Sequence, residues 1–318
     1  MGESADRGTV GIVGLGLVGR ALAGRALAGG YPVTGFDVSA AAGGAAEAIG
    51  VTLAPDLERL LARCSVAVLC VFDDAQLGDV VAQIDAALAG AARDGEAAGR
   101  VGAGIDLVIN TATCSPPAVE AAATAIGRHG LAFLELPLSG SSAQIRDGRA
   151  LGLVGADAAT LRRFLPLVAT LAPRHVHVGP PGSAARAKLA SNLVLGLNRA
   201  ALAEGLAFAQ RMGLDGLRFL ELLRESPAYS RAVDTVGERM VKRDFAPQSR
   251  LAQHRKDLSL ILTQAAGIAQ DLPLAQAHAA LLDRAIALGL GEADNAAVID
   301  ALAPSAAAGL PRGAGQVV

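Results

Sequence analysis

Apolar positions in the first half of the chain fall into short continuous runs separated by stretches with helical periodicity. Thr9–Gly14, Tyr31–Asp37, Val66–Val71 and Ile105–Ile109 read as strands, the last two apolar runs broken only by Asp106, as for strands covered on both faces. Leu17–Ala28 reads as a helix stopped by Gly29-Gly30, and helical patterns fill Asp56–Ala62, Ala75–Ala89 and Pro117–Arg128. This alternation predicts an α/β domain with a parallel sheet wrapped by helices. After a last strand at Arg174–Val178 the strand signals nearly vanish. Helical periodicity then runs from Ala184 to Ala303, punctuated at Gly213, Pro227, Pro247, Pro273 and Gly289–Gly291. The pattern predicts an N-terminal Rossmann domain with a doubly wound parallel sheet over residues 8–180 and an all-helical C-terminal domain over 181–303. One long helix, Lys188 to Gln210, leads the second domain. The Gly-, Ala- and Arg-rich stretch Ala91–Gly104 reads as a mobile surface loop, and 304–318 as a disordered tail.

A length of 318 residues agrees with two domains, and 52% hydrophobic against 18% charged residues supplies ample core. A net charge of −2 leaves no electrostatic footprint for nucleic acid or anionic membrane, and 3% aromatics without Trp offers no platform for stacking bases. The three cysteines, Cys64, Cys70 and Cys114, form no CxxC pair, which fits a reducing compartment. Met1–Arg7 lacks the apolar core of a signal peptide, and the most apolar long helix carries Asn192, Asn198, Arg199 and Glu204. A cytoplasmic location is predicted.

Gly14-Leu15-Gly16-Leu17-Val18-Gly19 is a GxGxxG motif. By itself such a motif is weak in a chain of 38 glycines; here a strand precedes it and a helix follows. Gly14 permits a tight turn, Gly16 lets the backbone approach a pyrophosphate, and Gly19 lets helix and strand pack closely. The N-terminus of the helix then presents N–H groups and the positive end of its dipole to the phosphates. Asp37 ends the second strand, where a carboxylate accepts hydrogen bonds from the adenosine ribose and repels a 2′-phosphate. Val38 follows rather than an arginine, so NAD is favoured over NADP.

Further motifs in order, spread over Val10 to Leu302, resemble those of the β-hydroxyacid dehydrogenases, which include 3-hydroxyisobutyrate dehydrogenase and tartronate semialdehyde reductase. Asn110-Thr111-Ala112-Thr113-Cys114-Ser115-Pro116 is similar to that family's D-x-S-T-x-x-P, with Ala112 in place of a serine. Leu136-Pro137-Leu138-Ser139-Gly140-Ser141-Ser142 resembles A-P-V-S-G-G, with Ser141 for the second glycine and Gln144 where another glycine is common. Gly179-Pro180-Pro181-Gly182-Ser183-Ala184 followed by Lys188 and Asn192 resembles G-x-x-G-x-G-x-x-x-K-x-x-x-N, and Arg255-Lys256-Asp257-Leu258 resembles the family's K-D-L.

The resemblance implies roles. Lys188 is the catalytic lysine and Asn192 orients the substrate. Ser139, Gly140 and Ser141 hold the substrate carboxylate, and Thr113 and Lys256 meet the cofactor. Val71 and Phe72, closing the third apolar strand, are counted with the cofactor contacts. The implied reaction joins NAD to a small 3-hydroxy acid. Alternatives are a four-carbon sugar acid such as threonate or erythronate, with Ser141, Ser142 and Gln144 bonding its hydroxyls, and a non-catalytic NAD-binding protein.

The chemistry suits a lysine under one condition. A base for an alcohol proton needs a pKa near the working pH, and a free lysine lies far above it. Burial and neighbouring positive charge lower it, and Lys188 sits between Ala187 and Leu189. It shares a helix face with Asn192, four residues on. A catalytic site in a cleft between the domains is expected. His175 and His177 alternate on one strand face but lack a third ligand, so no metal is expected; His254 reads as a surface residue. Apolar Leu193–Phe208 predicts burial against a second subunit, in a homodimer or homotetramer.

Overall fold

The structure, a computed structural model, describes residues 8–93 and 104–303. Met1–Arg7, most of the loop expected at Ala91–Gly104 and the tail expected from Pro304 lie outside the described residues. Two compact units divide at Ser191/Asn192, inside the long helix that leads the helical region.

The first unit is built on a nine-stranded sheet. Its strands are β1 (Val10–Val13), β2 (Val33–Phe36), β3 (Thr52–Leu53), β4 (Val66–Leu69), β5 (Leu107–Asn110), β6 (Ala132–Glu135), β7 (Leu138–Ser139), β8 (Leu151–Gly155) and β9 (Arg174–Gly179). The order is β3-β2-β1-β4-β5-β6-β8-β7, with β9 also paired to β8. From β3 to β6 every pairing is parallel. The chain connects these strands through α1 (Leu17–Ala28), α2 (Ala40–Glu47), α3 (Leu57–Leu61), α4 (Asp74–Arg93) and α5 (Pro116–Gly127), and the later ones through α6 (Ser142–Arg146) and α7 (Ala158–Leu171).

Side-chain alternation explains the double winding. Val10, Ile12, Val66, Val68, Leu107 and Ile109 join one core with Leu22 of α1 and Val168 of α7. Their neighbours Val13, Ala67, Leu69 and Val108 join a second core with residues of α3, α4 and α5. Each strand thus buries both faces, which is why the central strands carry no polar alternation. At one edge the parallel sheet takes in a strand of opposite sense, where β8 runs antiparallel to β6 and β7. There only Gly140–Ala150, with the short α6, joins β7 to β8, and an antiparallel pair needs no crossover of the βαβ kind.

The second unit is helical. It takes α8 (Ser183–Arg211) from Asn192 onward, then α9 (Gly216–Arg224), α10 (Glu238–Lys242), α11 (Leu251–Gly267) and α12 (Pro273–Ala287). A π-helical turn at Val233–Gly237 leads into α10 and a 3-10 segment, Asn295–Ala301, follows α12. Asp215 caps α9 through its carboxylate, and Pro273 opens α12 where a missing N–H costs nothing. Among the described residues no helix is long and apolar enough to cross a membrane.

Candidate active site

The carboxyl ends of the parallel strands gather the first group of candidate residues. Val13 is in register with Phe36 and Leu69, and Leu69 with Asn110. The next residue of each strand, Gly14, Asp37, Cys70 and Thr111, therefore lies along one edge. It is the edge where strand order reverses about β1, the place at which open α/β sheets bind ligands. Gly14 has φ +92°, and a Cβ there would lie 2.5 Å from the Cys70 carbonyl oxygen. A Cβ on Gly19 would collide with the Gly14 carbonyl oxygen. Both glycines are thus demanded by the protein itself.

Gly16 differs. A Cβ there meets nothing within 4 Å, so no protein atom explains the glycine. It is the N-cap of α1, contributes no side chain to the first-turn N–H groups, and the first turn holds no acidic residue. Open space above bare backbone at the positive end of a helix fits a pyrophosphate. Asp37 reaches back to this loop: Oδ2 accepts from Leu15 N–H at 2.6 Å and Oδ1 from Ser39 N–H at 2.7 Å. Its side chain is half-buried, whereas Val38 is 95% exposed. Leu17 and Val18 open α1, Val71 and Phe72 follow β4, and Thr113 lies half-buried past β5. Arg20, not singled out from the sequence, donates Nη1–H to the Leu15 carbonyl oxygen at 2.6 Å. That places a guanidinium at the glycine loop; an arginine directly after GxGxxG is the available signal.

A second group assembles around β7 in the same unit. Lys188 is 6% exposed, and its Nζ donates to the Leu138 carbonyl oxygen at 2.7 Å. The residues after Leu138 are the candidate anion turn, Ser139-Gly140-Ser141. Gly140 has φ +157°, and a Cβ there would stand 2.9 Å from Ala150 Cβ and 3.0 Å from Gln144 Oε1. Ser141 and Gln144 form a capping box on α6: Ser141 Oγ accepts from Gln144 N–H at 3.3 Å, and Gln144 Oε1 accepts from Ser141 N–H at 2.9 Å. The two departures from the family's glycines are therefore one local device.

Glu135, also not singled out from the sequence, closes β6 and is fully buried. Its carboxylate accepts from Gly182 N–H and, at 2.7 Å, from Ala185 N–H, at the start of the helix that carries Lys188. Burial pushes its pKa up to about 7, against the pull of those N–H groups and of Arg186. An acid ending an otherwise apolar strand is its signal.

In the helical unit, Asn192 is 4% exposed and donates Nδ2–H to Asp257 Oδ2 at 3.0 Å. The other oxygen of Asp257 lies 2.8 Å from Lys256 Nζ. Asn192, Lys256 and Asp257 are thus brought together. His254, expected at the surface, is buried instead, its ring centroid 5.2 Å from that of His278. The cause lies on another helix: Gly196 of α8 has no Cβ, and one would collide with His254 Nε2. Burial beside Arg199 pushes His278 down to about 4.

His175 and His177 bond backbone carbonyl groups, of Ala172 and of Ala156 and Gly179 respectively. Among the described residues no three His, Cys, Asp or Glu side chains group as a metal site. None of the three cysteines is in a disulfide, and burial pushes Cys64 and Cys70 up to about 12, away from thiolate chemistry.

Residues 9–179 match the family model described as the NAD binding domain of 6-phosphogluconate dehydrogenase. Residues 182–302 match that described as the NAD-binding region of NADP-dependent 3-hydroxyisobutyrate dehydrogenase. The 2-hydroxy-3-oxopropionate reductase of Escherichia coli (strain K12) is 32% identical over 195 residues, 61% of this chain and 67% of that protein. The chloroplastic glyoxylate/succinic semialdehyde reductase 2 of Arabidopsis thaliana is 30% identical over 173 residues; the match spans 54% of this chain and about half, 48%, of that protein. The crystal structure of a 3-hydroxyisobutyrate dehydrogenase from Salmonella typhimurium superposes with a TM-score of 0.78 at 24% identity, covering 92% of this chain and 99% of that one.

Proposed function

The chain belongs to the β-hydroxyacid dehydrogenase family, and from that premise we propose that it interconverts a small 3-hydroxy acid, of the 3-hydroxyisobutyrate type, and its semialdehyde or keto acid. NAD is the favoured cofactor and Lys188 the general acid/base. The observation that carries the reading is the buried Lys188 amine bonded to Leu138, next to the Ser139-Gly140 turn.

When bound, the dinucleotide supplies the two-electron acceptor for the substrate's carbon-bound hydrogen. The glycine loop and the N-terminus of α1 bind its pyrophosphate, and Asp37 its ribose. Val71, Phe72, Thr113 and Lys256 line the rest of it. Asp37 stands where a 2′-phosphate would be repelled, which supports NAD.

The remaining work falls to the chain. The Ser139 hydroxyl and the turn after it anchor the carboxylate. Leu138 accepts one N–H of Lys188, which holds Nζ beside the Ser139 turn; as the neutral amine it takes the hydroxyl proton, and the ammonium returns it in the reverse reaction. Asp257 fixes one N–H of the Asn192 amide, which selects its flip and leaves Oδ1 and the second N–H for the substrate.

The test is absorbance at the reduced-nicotinamide band with NAD or NADP against 3-hydroxyisobutyrate, 3-hydroxypropionate, glycerate, threonate and erythronate. Turnover with one of them supports the reading. Tight NAD binding without turnover of any of them counts against it and favours a binding protein.

Val194, Phe208 and Met212 of α8 and the turn after it are 58%, 66% and 66% exposed. Apolar side chains this exposed along one stretch support a homodimer or homotetramer. A monomeric mass by light scattering at micromolar concentration would rule that out.

A further inference from the structure

The turn Ser139-Gly140-Ser141 does not present all its donors. The Ser141 N–H, which would otherwise be open to an anion, is taken by Gln144 Oε1 at 2.9 Å. The same oxygen lies 3.0 Å from where a Gly140 Cβ would stand, so the Gln144 side chain lies over the turn. Its amide nitrogen makes no hydrogen bond among the described residues, and it is not sealed from solvent. An amide that accepts at one end and is open at the other transfers the donor outward, from a fixed backbone N–H to a side-chain N–H.

We infer that Gln144 is a specificity-determining residue whose Nε2–H, in place of the Ser141 N–H, anchors the substrate carboxylate. The inference rests on the dehydrogenase reading above and deepens it. The acid is held by the Ser139 hydroxyl and a movable amide rather than by a rigid backbone pair. A neutral donor also matters electrostatically, because a negative group at the same place repels a carboxylate.

The capping box supplies a control. Glutamate serves as well as glutamine at this position of a box, so Gln144→Glu keeps the Ser141 N–H satisfied and α6 capped while removing the donor and adding charge. Gln144→Gly removes the cap but uncovers the Ser141 N–H.

The experiment measures kcat and KM for the wild type and both variants with 3-hydroxypropionate, glycerate and 3-hydroxyisobutyrate. Melting temperatures check folding. Calorimetric titration of the NAD-loaded proteins with the same acids reads the anchor apart from turnover. Gln144→Glu is expected to raise KM and Kd at least about tenfold, the scale of a lost charge-assisted hydrogen bond, with kcat and NAD affinity little changed. Gln144→Gly is expected to bind within about threefold of the wild type, through the uncovered backbone donor. Unchanged KM and Kd in Gln144→Glu would reduce Gln144 to a helix cap and overturn the inference while the dehydrogenase reading stood. Weaker binding to Gln144→Glu with no turnover in any protein would do the reverse, sinking the reaction and leaving the anchor.

Discussion

Lys188 Nζ donates a 2.7 Å hydrogen bond to the carbonyl oxygen of Leu138, fifty residues earlier in the chain and one residue before Ser139. The bond ties the start of α8 to β7, and with it the proposed base to the proposed anion turn. Burial of that amine costs desolvation.

Lys188→Ala is expected to cut turnover at least about a hundredfold, the usual scale for a lost acid–base group, and to leave NAD affinity nearly intact. Lys188→Met keeps most of the packing and should lose activity equally. Steady-state rates and cofactor titrations check this, and full activity in Lys188→Met would remove the residue from the mechanism.

Much of the fold is legible in the sequence because its signals are local. Helix α1 can be read to the residue from Leu17 to Ala28, since the glycine motif starts it and Gly29-Gly30 stops it. The strands β4 and β5 stand out as apolar runs buried on both faces. The glycine loop and Asp37 stand one strand apart, so their meeting at Leu15 follows from spacing. What is not legible depends on residues far apart in sequence. Leu138–Ser139 is a strand only because it pairs with Leu151 and Gly152. Glu135 meets the backbone of Gly182, 47 residues on. The burial of His254 is decided by a glycine on another helix, which no pattern around His254 reveals.

Asp37→Ala removes the acceptor of the Leu15 N–H as well as the proposed ribose contact. NAD affinity should fall by about tenfold or more, the cost of roughly 1.4 kcal/mol or more in lost hydrogen bonds. The advantage over NADP should narrow. Fluorescence titration with both reduced cofactors measures this; an unchanged preference would mean that Asp37 does not face the ribose.

Gly196→Ala is expected to destabilise the helical unit. The new methyl group collides with the buried His254 ring, which is itself packed on His278. Overpacking of this kind costs about 1–3 kcal/mol. Denaturant midpoints read the loss, and recovery in the double variant Gly196→Ala/His254→Ala would assign it to that contact.

Asp257→Asn is expected to act on Asn192 at a distance from the chemistry. The new amide oxygen could still accept from Asn192 Nδ2, but the charge beside Lys256 would be lost. Replacing Asp257 by Leu also removes the acceptor and frees the Asn192 amide to flip. KM for the acid should rise about tenfold in the leucine variant and less in the asparagine variant, following the loss of one hydrogen bond to a charged group. Equal kinetics in both variants and wild type would leave Asp257 as a merely structural partner.

Glu135 gives the protein a pH dependence with a definite sign. In the unfolded chain its carboxyl ionises near 4.5; in the fold burial holds it up to about 7. Between those values the folded state keeps a proton that the unfolded state has released. Stability from this group is therefore fully present below about pH 4.5, falls as the pH rises, and levels off above about pH 7. The full change is on the order of 3 kcal/mol, at about 1.4 kcal/mol for each unit of pKa difference. The amide of a Glu135→Gln variant cannot titrate, and it must turn an N–H toward either Gly182 or Ala185, so the variant is less stable than the wild type at low pH and draws no pH dependence of its own from this position. Unfolding free energies of the two proteins, measured by denaturant from pH 5 to 8, should therefore converge as the pH rises. Parallel curves would show that Glu135 remains ionised throughout, held down by the N–H groups at the start of α8 more strongly than burial lifts it.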